Sequence, residues 1–199
     1  MALAELLVRP GTFAAPDVLP VAPPLDALFP YGGLARGSVV TVDSLTVALT
    51  LLAATSAAGG WCAAAGLPDL GLAAAADAGI DLQRFVVVPA PGEQWAVAVA
   101  TLLDGVGLVL ARPPARLKAS DARRLAARIR ERRGVLLLSA GAGAQGWPEQ
   151  VDLRIRLETS EWTGLCDGYG RLLRRRTGLA ATGRGAAARE RRVSAWLPA

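Results

Sequence analysis

The sequence predicts an α/β fold of three layers: a mainly parallel sheet with helices on both faces, extended at its C-terminal end by an antiparallel β meander. Three observations predict it. Between residues 38 and 139, short β-branched and aliphatic runs alternate with stretches of helix-forming residues, the pattern of successive βαβ units. Two of the apolar runs, 85–88 and 135–138, contain no polar side chain, as strands buried on both faces require. Beyond Pro148 the pattern switches, and residues 151–158 alternate strictly between apolar and polar.

Residues 10–30 hold Pro10, Pro16, Pro20, Pro23, Pro24 and Pro30, a density that predicts an extended lead-in rather than regular structure. The chain therefore divides into a Pro-rich N-terminal segment, 1–30, and a single domain, 31–199, whose last part, 151–199, is the meander. The first core strand is the β-branched run 38–42. The helix after it, 44–58, has Leu and Ala at helical spacing, with Asp43 or Ser44 placed to cap it. The alternation continues with a strand at 61–65, a helix at 70–78, a strand at 85–89, a helix at 93–104, a strand at 106–111, a helix at 121–133 and a strand at 135–139. Right-handed crossovers distribute these helices over both faces of the sheet. Residues 151–158 predict a half-solvated antiparallel strand. Two more strands follow, near 169–176 and 191–197, separated by the Gly- and Ala-rich stretch 178–188.

With 199 residues, 52% of them hydrophobic, the chain can bury about 70% of its unfolded surface without disulfides or metals. Histidine is absent, which excludes Ser-His and Cys-His nucleophile pairs and zinc sites with imidazole ligands. Cys62 and Cys166, far apart and outside any CxxC, read as small apolar residues in a reducing compartment. Residues 1–10 carry Glu5 and Arg9 around a short apolar run, so no leader is read there and the expected location is the cytoplasm. The uncharged stretch 44–68 is long enough to cross a bilayer. Its Ala, Thr, Ser and Gly content and the Gly59-Gly60 break mark it instead as buried helix and strand, so no membrane partner is expected.

Charge is divided unevenly. Residues 1–111 carry three basic and nine acidic side chains, net −6, whereas residues 112–199 carry 19 basic and 8 acidic, net +11. The asymmetry fits a basic surface offered to nucleic acid or an acidic partner, and equally a solvated Arg-rich exterior. Arginine supplies nearly all the positive charge, and Lys118 is the only lysine.

Leu25-Asp26-Ala27-Leu28, then Gly32-Gly33-Leu34-Ala35-Arg36-Gly37-Ser38-Val39-Val40, then Ala73-Ala74-Ala75-Ala76-Asp77-Ala78-Gly79-Ile80-Asp81, a strand, and Pro91-Gly92-Glu93-Gln94 follow one another in an order that resembles the RecA-like ATPase core over roughly residues 25–160. The resemblance implies a phosphate-binding loop directly after Val42. Such a loop needs glycines whose N–H groups wrap phosphates, a Lys for the β and γ phosphates, and a Ser or Thr for magnesium. The turn Val42, Asp43, Ser44, Leu45, Thr46 is too short, and no glycine lies between Gly37 and Gly59. A cap from Asp43 would occupy the helix N-terminus with a carboxylate, where phosphate should sit. The strand facing that loop ends Val109-Leu110-Ala111-Arg112, without a metal-binding acid. The position where the family keeps a water-activating glutamate falls near Leu67, with Asp69 the only nearby carboxylate. The expectation is a protein with no catalytic residue, no cofactor, no metal and no ATPase activity.

A RecA-like core with lapsed nucleotide motifs and short linking loops is similar to the ImuA family. Glu161-Trp162-Thr163-Gly164-Leu165, Gly168-Tyr169-Gly170, Leu172-Leu173-Arg174-Arg175-Arg176 and the ending 189–198 are similar to the closing meander of its actinobacterial branch, ImuA′. The resemblance implies an accessory factor of the damage-induced mutasome, acting at the nucleoid in the SOS response. Its partner would be ImuB, an inactive relative of Y-family polymerases, and through it an error-prone C-family polymerase that performs translesion synthesis. The alternative expectation is a basic DNA-binding modulator or antagonist of recombinase filaments.

Candidate contact residues concentrate in the tail: Arg171, Arg174, Arg175, Arg176, Arg184, Arg191 and Arg192, with Trp162 and Trp196. Arginines on alternate positions of neighbouring strands, near aromatics, can grip phosphates and stack on bases. The same charges also protect an edge strand from pairing with other chains. The helix at 121–133 places Arg123, Arg124, Arg128, Arg130 and Arg132 mostly outside its apolar face, as either a contact surface or a solvated one. Trp61 and Trp95 read as core. Trp147, Trp162 and Trp196 either lock the meander or anchor a partner. Residues 2–8 are a candidate docking segment for another subunit.

Overall fold

The computed structural model describes residues 17–139, 147–166 and 169–197, with side chains throughout except at 165–166 and 169–173. Strands β1 (Val18–Pro20) and β2 (Gly33–Ala35) form a two-stranded ribbon. The main sheet holds β3 (Ser38–Val42), β4 (Cys62–Ala65), β5 (Phe85–Val88), β6 (Leu108–Ala111), β7 (Val135–Ser139), β8 (Leu153–Cys166), β9 (Tyr169–Gly183) and β10 (Arg191–Leu197). Its order is β10-β9-β8-β3-β7-β6-β4-β5, parallel from β8 through β5 and antiparallel from β8 to β10. The expected mixed α/β sheet with a closing meander is present.

Helices α1 (Leu45–Ala57) and α2 (Leu72–Asp77) lie on one face, and α3 (Trp95–Gly105) and α4 (Ala119–Arg132) on the other. Alternate residues of each central strand feed two cores. Val40, Val42, Leu108, Leu110 and Leu137 meet Val47, Ala48, Leu51 and Leu52 of α1. Val39, Val109, Leu136 and Leu138 meet Val99, Leu103, Leu125 and Ile129 of α3 and α4. The period-2 alternation of β-strands divides the side chains between these two layers. Helix α1 is apolar all round because it is covered twice, by the sheet beneath and by the N-terminal segment above, which explains the uncharged run that contains it. Among the described residues no helix is long and apolar enough to cross a membrane.

Three expectations need correction. Residues 17–30 are not an unstructured lead-in. They form β1 and a 3-10 turn, Leu25–Leu28, and Leu19, Val21, Leu25, Leu28 and Phe29 belong to the larger core. The prolines delimit these short elements instead of preventing them, and a Cβ at Gly33 would meet the Leu19 carbonyl oxygen at 2.5 Å, so glycine permits the close β1–β2 approach. Second, β5 is an edge strand, not buried on both faces: Val86 is exposed, and Trp61, just before β4, is 50% exposed rather than core. Third, β8 is antiparallel only on its β9 side. On the other side it runs parallel to β3 through Val40↔Leu153, Thr41↔Arg154 and Val42↔Ile155.

The meander reads longer than predicted because β9 continues through Gly178 to Gly183, each of which faces β8 in register. The 3-10 turn at Leu25–Leu28 packs over β10 on the α1 side, and Leu28 is fully buried. Leu28→Ala is therefore expected to cost about 2–5 kcal/mol of unfolding free energy in a urea titration. A loss below about 1 kcal/mol, typical of a surface position, would contradict a packed N-terminal segment.

Candidate functional site

Only Asp43 and Ser44 separate β3 from α1. The strand ends because β7 and β8 pair with it only as far as Val42. Strand β8, with 14 residues against five in β3, runs on past that point, so its inward N–H groups lose their ladder partners. Asp43 supplies the missing acceptor. Its Oδ1 and Oδ2 accept from the Leu157 N–H at 2.9 and 3.0 Å, while the Asp43 N–H donates to the Ile155 carbonyl at 3.4 Å. The expected helix cap is thus not made: Ser44 occupies the N-cap position without a side-chain capping bond, and the Asp43 carboxylate serves β8 instead. Val42 is fully buried, Leu45 packs against the core, and the Thr46 carbonyl accepts from Thr50 Oγ1 at 2.9 Å. The turn has no length to wrap a phosphate, and its one charged group is negative.

The C-terminal ends of β4 and β6 are filled as well. Leu67, near which the resemblance to RecA-like ATPases would put a water-activating acid, is 1% exposed. Gly66 has φ +73° and is closed in on: a Cβ there would lie 2.7 Å from the Arg112 carbonyl oxygen and 3.0 Å from Trp95 Nε1. Beyond β6, Arg112 stands where a metal-binding acid would be needed. It donates from both terminal nitrogens to Asp69, at 2.8 and 3.3 Å. That hydrogen-bonded pair holds the Asp69 carboxyl below the usual carboxylate range, with both oxygens accepting from Arg112. Among the described residues no group of three or more Cys, Asp or Glu is placed to hold a metal ion.

Residues 27–149 match the family model described as the MT3502 N-terminal domain. The chain belongs to this family. It is also similar to the uncharacterized protein Rv3395c of Mycobacterium tuberculosis (strain ATCC 25618 / H37Rv), 35% identical over 143 residues. The match takes in 71% of this chain and 66% of that protein, so the chain spans slightly under two thirds of its relative's length. The family match covers β3 to β7 with both helical layers and stops before the meander, which lies outside the matched domain.

In that meander, cross-strand register sorts the predicted contact residues. Arg174, Arg176 and Arg192, with Trp196, fall on the face turned away from α1, because the alternate positions Thr177, Leu179, Ala195 and Leu197 of the same strands are buried on the α1 side. Arg175 and Trp162 are cross-strand partners on the opposite face, where the guanidinium lies 5.3 Å from the indole centroid and Arg175 Nε donates to Ser160 Oγ at 2.7 Å. Arg184 is tied to Asp152 at 3.0 Å and to Gln150, beside a small apolar cavity of about 140 Å³. Arg191 donates to the Ala186 and Arg189 carbonyls. The structure therefore does not bring all these residues into one patch. The side chain of Arg171 and residues 2–8 lie outside the described part of the chain.

Two arginines absent from that sequence-based set, Arg154 and Arg156, join Arg174, Arg176 and Arg192 on the same face. Their signal was present in the apolar–polar alternation of residues 151–158. The α4 arginines are largely committed elsewhere: Arg128 and Arg132 both bind Asp104 of α3, and Arg123 and Arg124 approach Glu149 and Asp121 at 4.0 Å. Trp95 and Trp147 are buried in the second core, each with an indole N–H that has no partner among the described residues.

The Asp69 carboxyl is expected to titrate below the ordinary aspartate range in the folded protein and to return toward that range in Arg112→Gln. A carboxyl-carbon NMR titration reads both. Because the folded value is depressed, the pair stabilises the fold above the ordinary aspartate pKa, and that contribution is lost as pH falls through the folded value. A midpoint insensitive to Arg112→Gln would contradict the pairing.

Proposed function

We propose that the chain is a non-catalytic RecA-like accessory protein of the damage-induced translesion machinery, acting by contact with an ImuB-like partner and through it helping an error-prone C-family polymerase at lesions. The parallel order β8-β3-β7-β6-β4 supports the RecA-like part of this reading: it seats the would-be phosphate strand β3 inside the sheet with β6 one strand removed. The observation that carries the non-catalytic part is the β3–α1 junction. Two residues span it, and its carboxylate is engaged by a backbone N–H where a RecA-like ATPase presents a glycine loop and a lysine. The engaged Asp69–Arg112 pair and the buried Leu67 support the same conclusion at the metal and water positions. Contact would then fall to surfaces outside this core, such as the meander.

The test is gel filtration of the full chain mixed with the C-terminal region of an ImuB-like protein. Co-elution as a complex at low and moderate salt is the expected result. Separate elution at both salt concentrations would overturn the reading.

A further inference from the structure

The uncovered face of the β8-β9-β10 meander is a ladder of side-chain rows. Helices α3 and α4 cover this side of the sheet over the central strands and leave the meander bare. Cross-strand register places Arg154 beside Thr182, then Arg156 and Arg192 either side of Ala180, then Thr159 and Ser194 either side of Gly178, then Glu161, Arg176 and Trp196 together, and last Thr163 beside Arg174. Rows two residues apart repeat at about 6.8 Å, so the five rows run for about 27 Å. Four of the five contain arginine. Trp196 is 54% exposed and adjoins Arg176 across the β9–β10 pair.

Three carboxylates share the face and must be set against the arginines. Glu190 pairs with Arg156 at 3.2 Å and with Arg192 at 3.1 Å, and Glu158 pairs with Arg192 at 3.4 Å. Glu161 lies across from Arg176 but makes no ion pair among the described residues. Arg154, Arg174 and Arg176 likewise make no ion pair there, so the two ends of the ladder keep their positive charge while the middle is balanced. Arg176 Nε donates to Ser194 Oγ at 3.2 Å.

We infer that this face binds single-stranded nucleic acid. A single strand presents phosphates at regular intervals along an extended backbone, together with unpaired bases. The ladder offers the complement of both: guanidiniums recurring along the strand direction, hydroxyls between them, and a half-exposed indole across from an arginine in register. An acidic protein segment would use the arginines but gives no role to the exposed Trp196 at the outer end of its row, on β10. The inference does not rest on the translesion reading. The assay below needs no partner protein, and the co-elution above needs no nucleic acid, so either can fail alone.

The experiment is fluorescence anisotropy of the full chain with a labelled oligo-dT. The wild-type protein is expected to bind at low salt and to weaken steeply as salt rises. The triple variant Arg154→Ala, Arg174→Ala, Arg176→Ala is expected to lose at least about tenfold in affinity and to flatten the log–log salt slope by about 2, at about 0.7 per phosphate contact on a single strand. Trp196→Ala is expected to weaken binding about five- to a hundredfold through lost stacking with the slope unchanged, and Trp196→Phe to restore part of it. Arg124→Ala with Arg130→Ala, on the exposed side of α4, is the charge control and should change little. Circular dichroism melts confirm that each variant folds. Absence of binding at low salt, an equal loss in the α4 control, or variants that abolish binding only to an acidic protein partner would each overturn the inference.

Discussion

Strand β8 joins the parallel body of the sheet to its antiparallel meander, and Asp43 holds it where the two part. On one side β8 extends the parallel body beside β3; on the other it starts the antiparallel meander with β9. Where β3 ends, the Leu157 N–H would face the body without a partner, a deficit costing on the order of 1–3 kcal/mol if left buried. The Asp43 carboxylate fills it, and the β-bulge between Leu157 and Thr159 then turns β8 away. One side chain thereby completes the sheet at the two-residue junction between β3 and α1.

Several carboxylates of the net-negative first part of the chain are spent on named partners: Asp43 on the Leu157 N–H, Asp69 on Arg112, Asp104 on Arg128 and Arg132. The positive second part builds α4 and the meander. On α4 most arginines find carboxylates on neighbouring elements. On the meander the balance is local, with Glu158 and Glu190 neutralising the centre and the ends left cationic. A summed charge of +5 for the chain conceals this arrangement.

Much of the fold was legible because its signals are strong and local. The uninterrupted run at Val135–Ser139 is buried along its length, and the α4 stripe of Ala122, Leu125 and Ile129 meets the core as its spacing predicts. What was not legible depended on partners distant in sequence. Prolines at 20, 23, 24 and 30 announced breaks, but it is the packing of the Leu25–Leu28 turn over β10, distant in sequence, that turns Leu25 and Leu28 into core. Gly178 and its small neighbours resembled a loop, yet β8 supplies a ladder for all of them. Phe85–Val88 had the composition of a central strand and lies at the edge, since the apolar run reports burial and not order in the sheet. At the site, the missing lysine and glycines were visible directly. The destination of the Asp43 carboxylate was not, because Leu157 stands 114 residues away.

The central claim is that the junction after β3 is closed to nucleotide because its length and its carboxylate are already committed to β8. The most direct measurement is a titration of the isotopically labelled protein with Mg-ATP, following the backbone amides of Thr46, Val47 and Leu157. The account predicts that none of the three shifts up to millimolar nucleotide. Saturable shifts at Thr46 and Val47, with release of the Leu157 amide from its carboxylate, would contradict it.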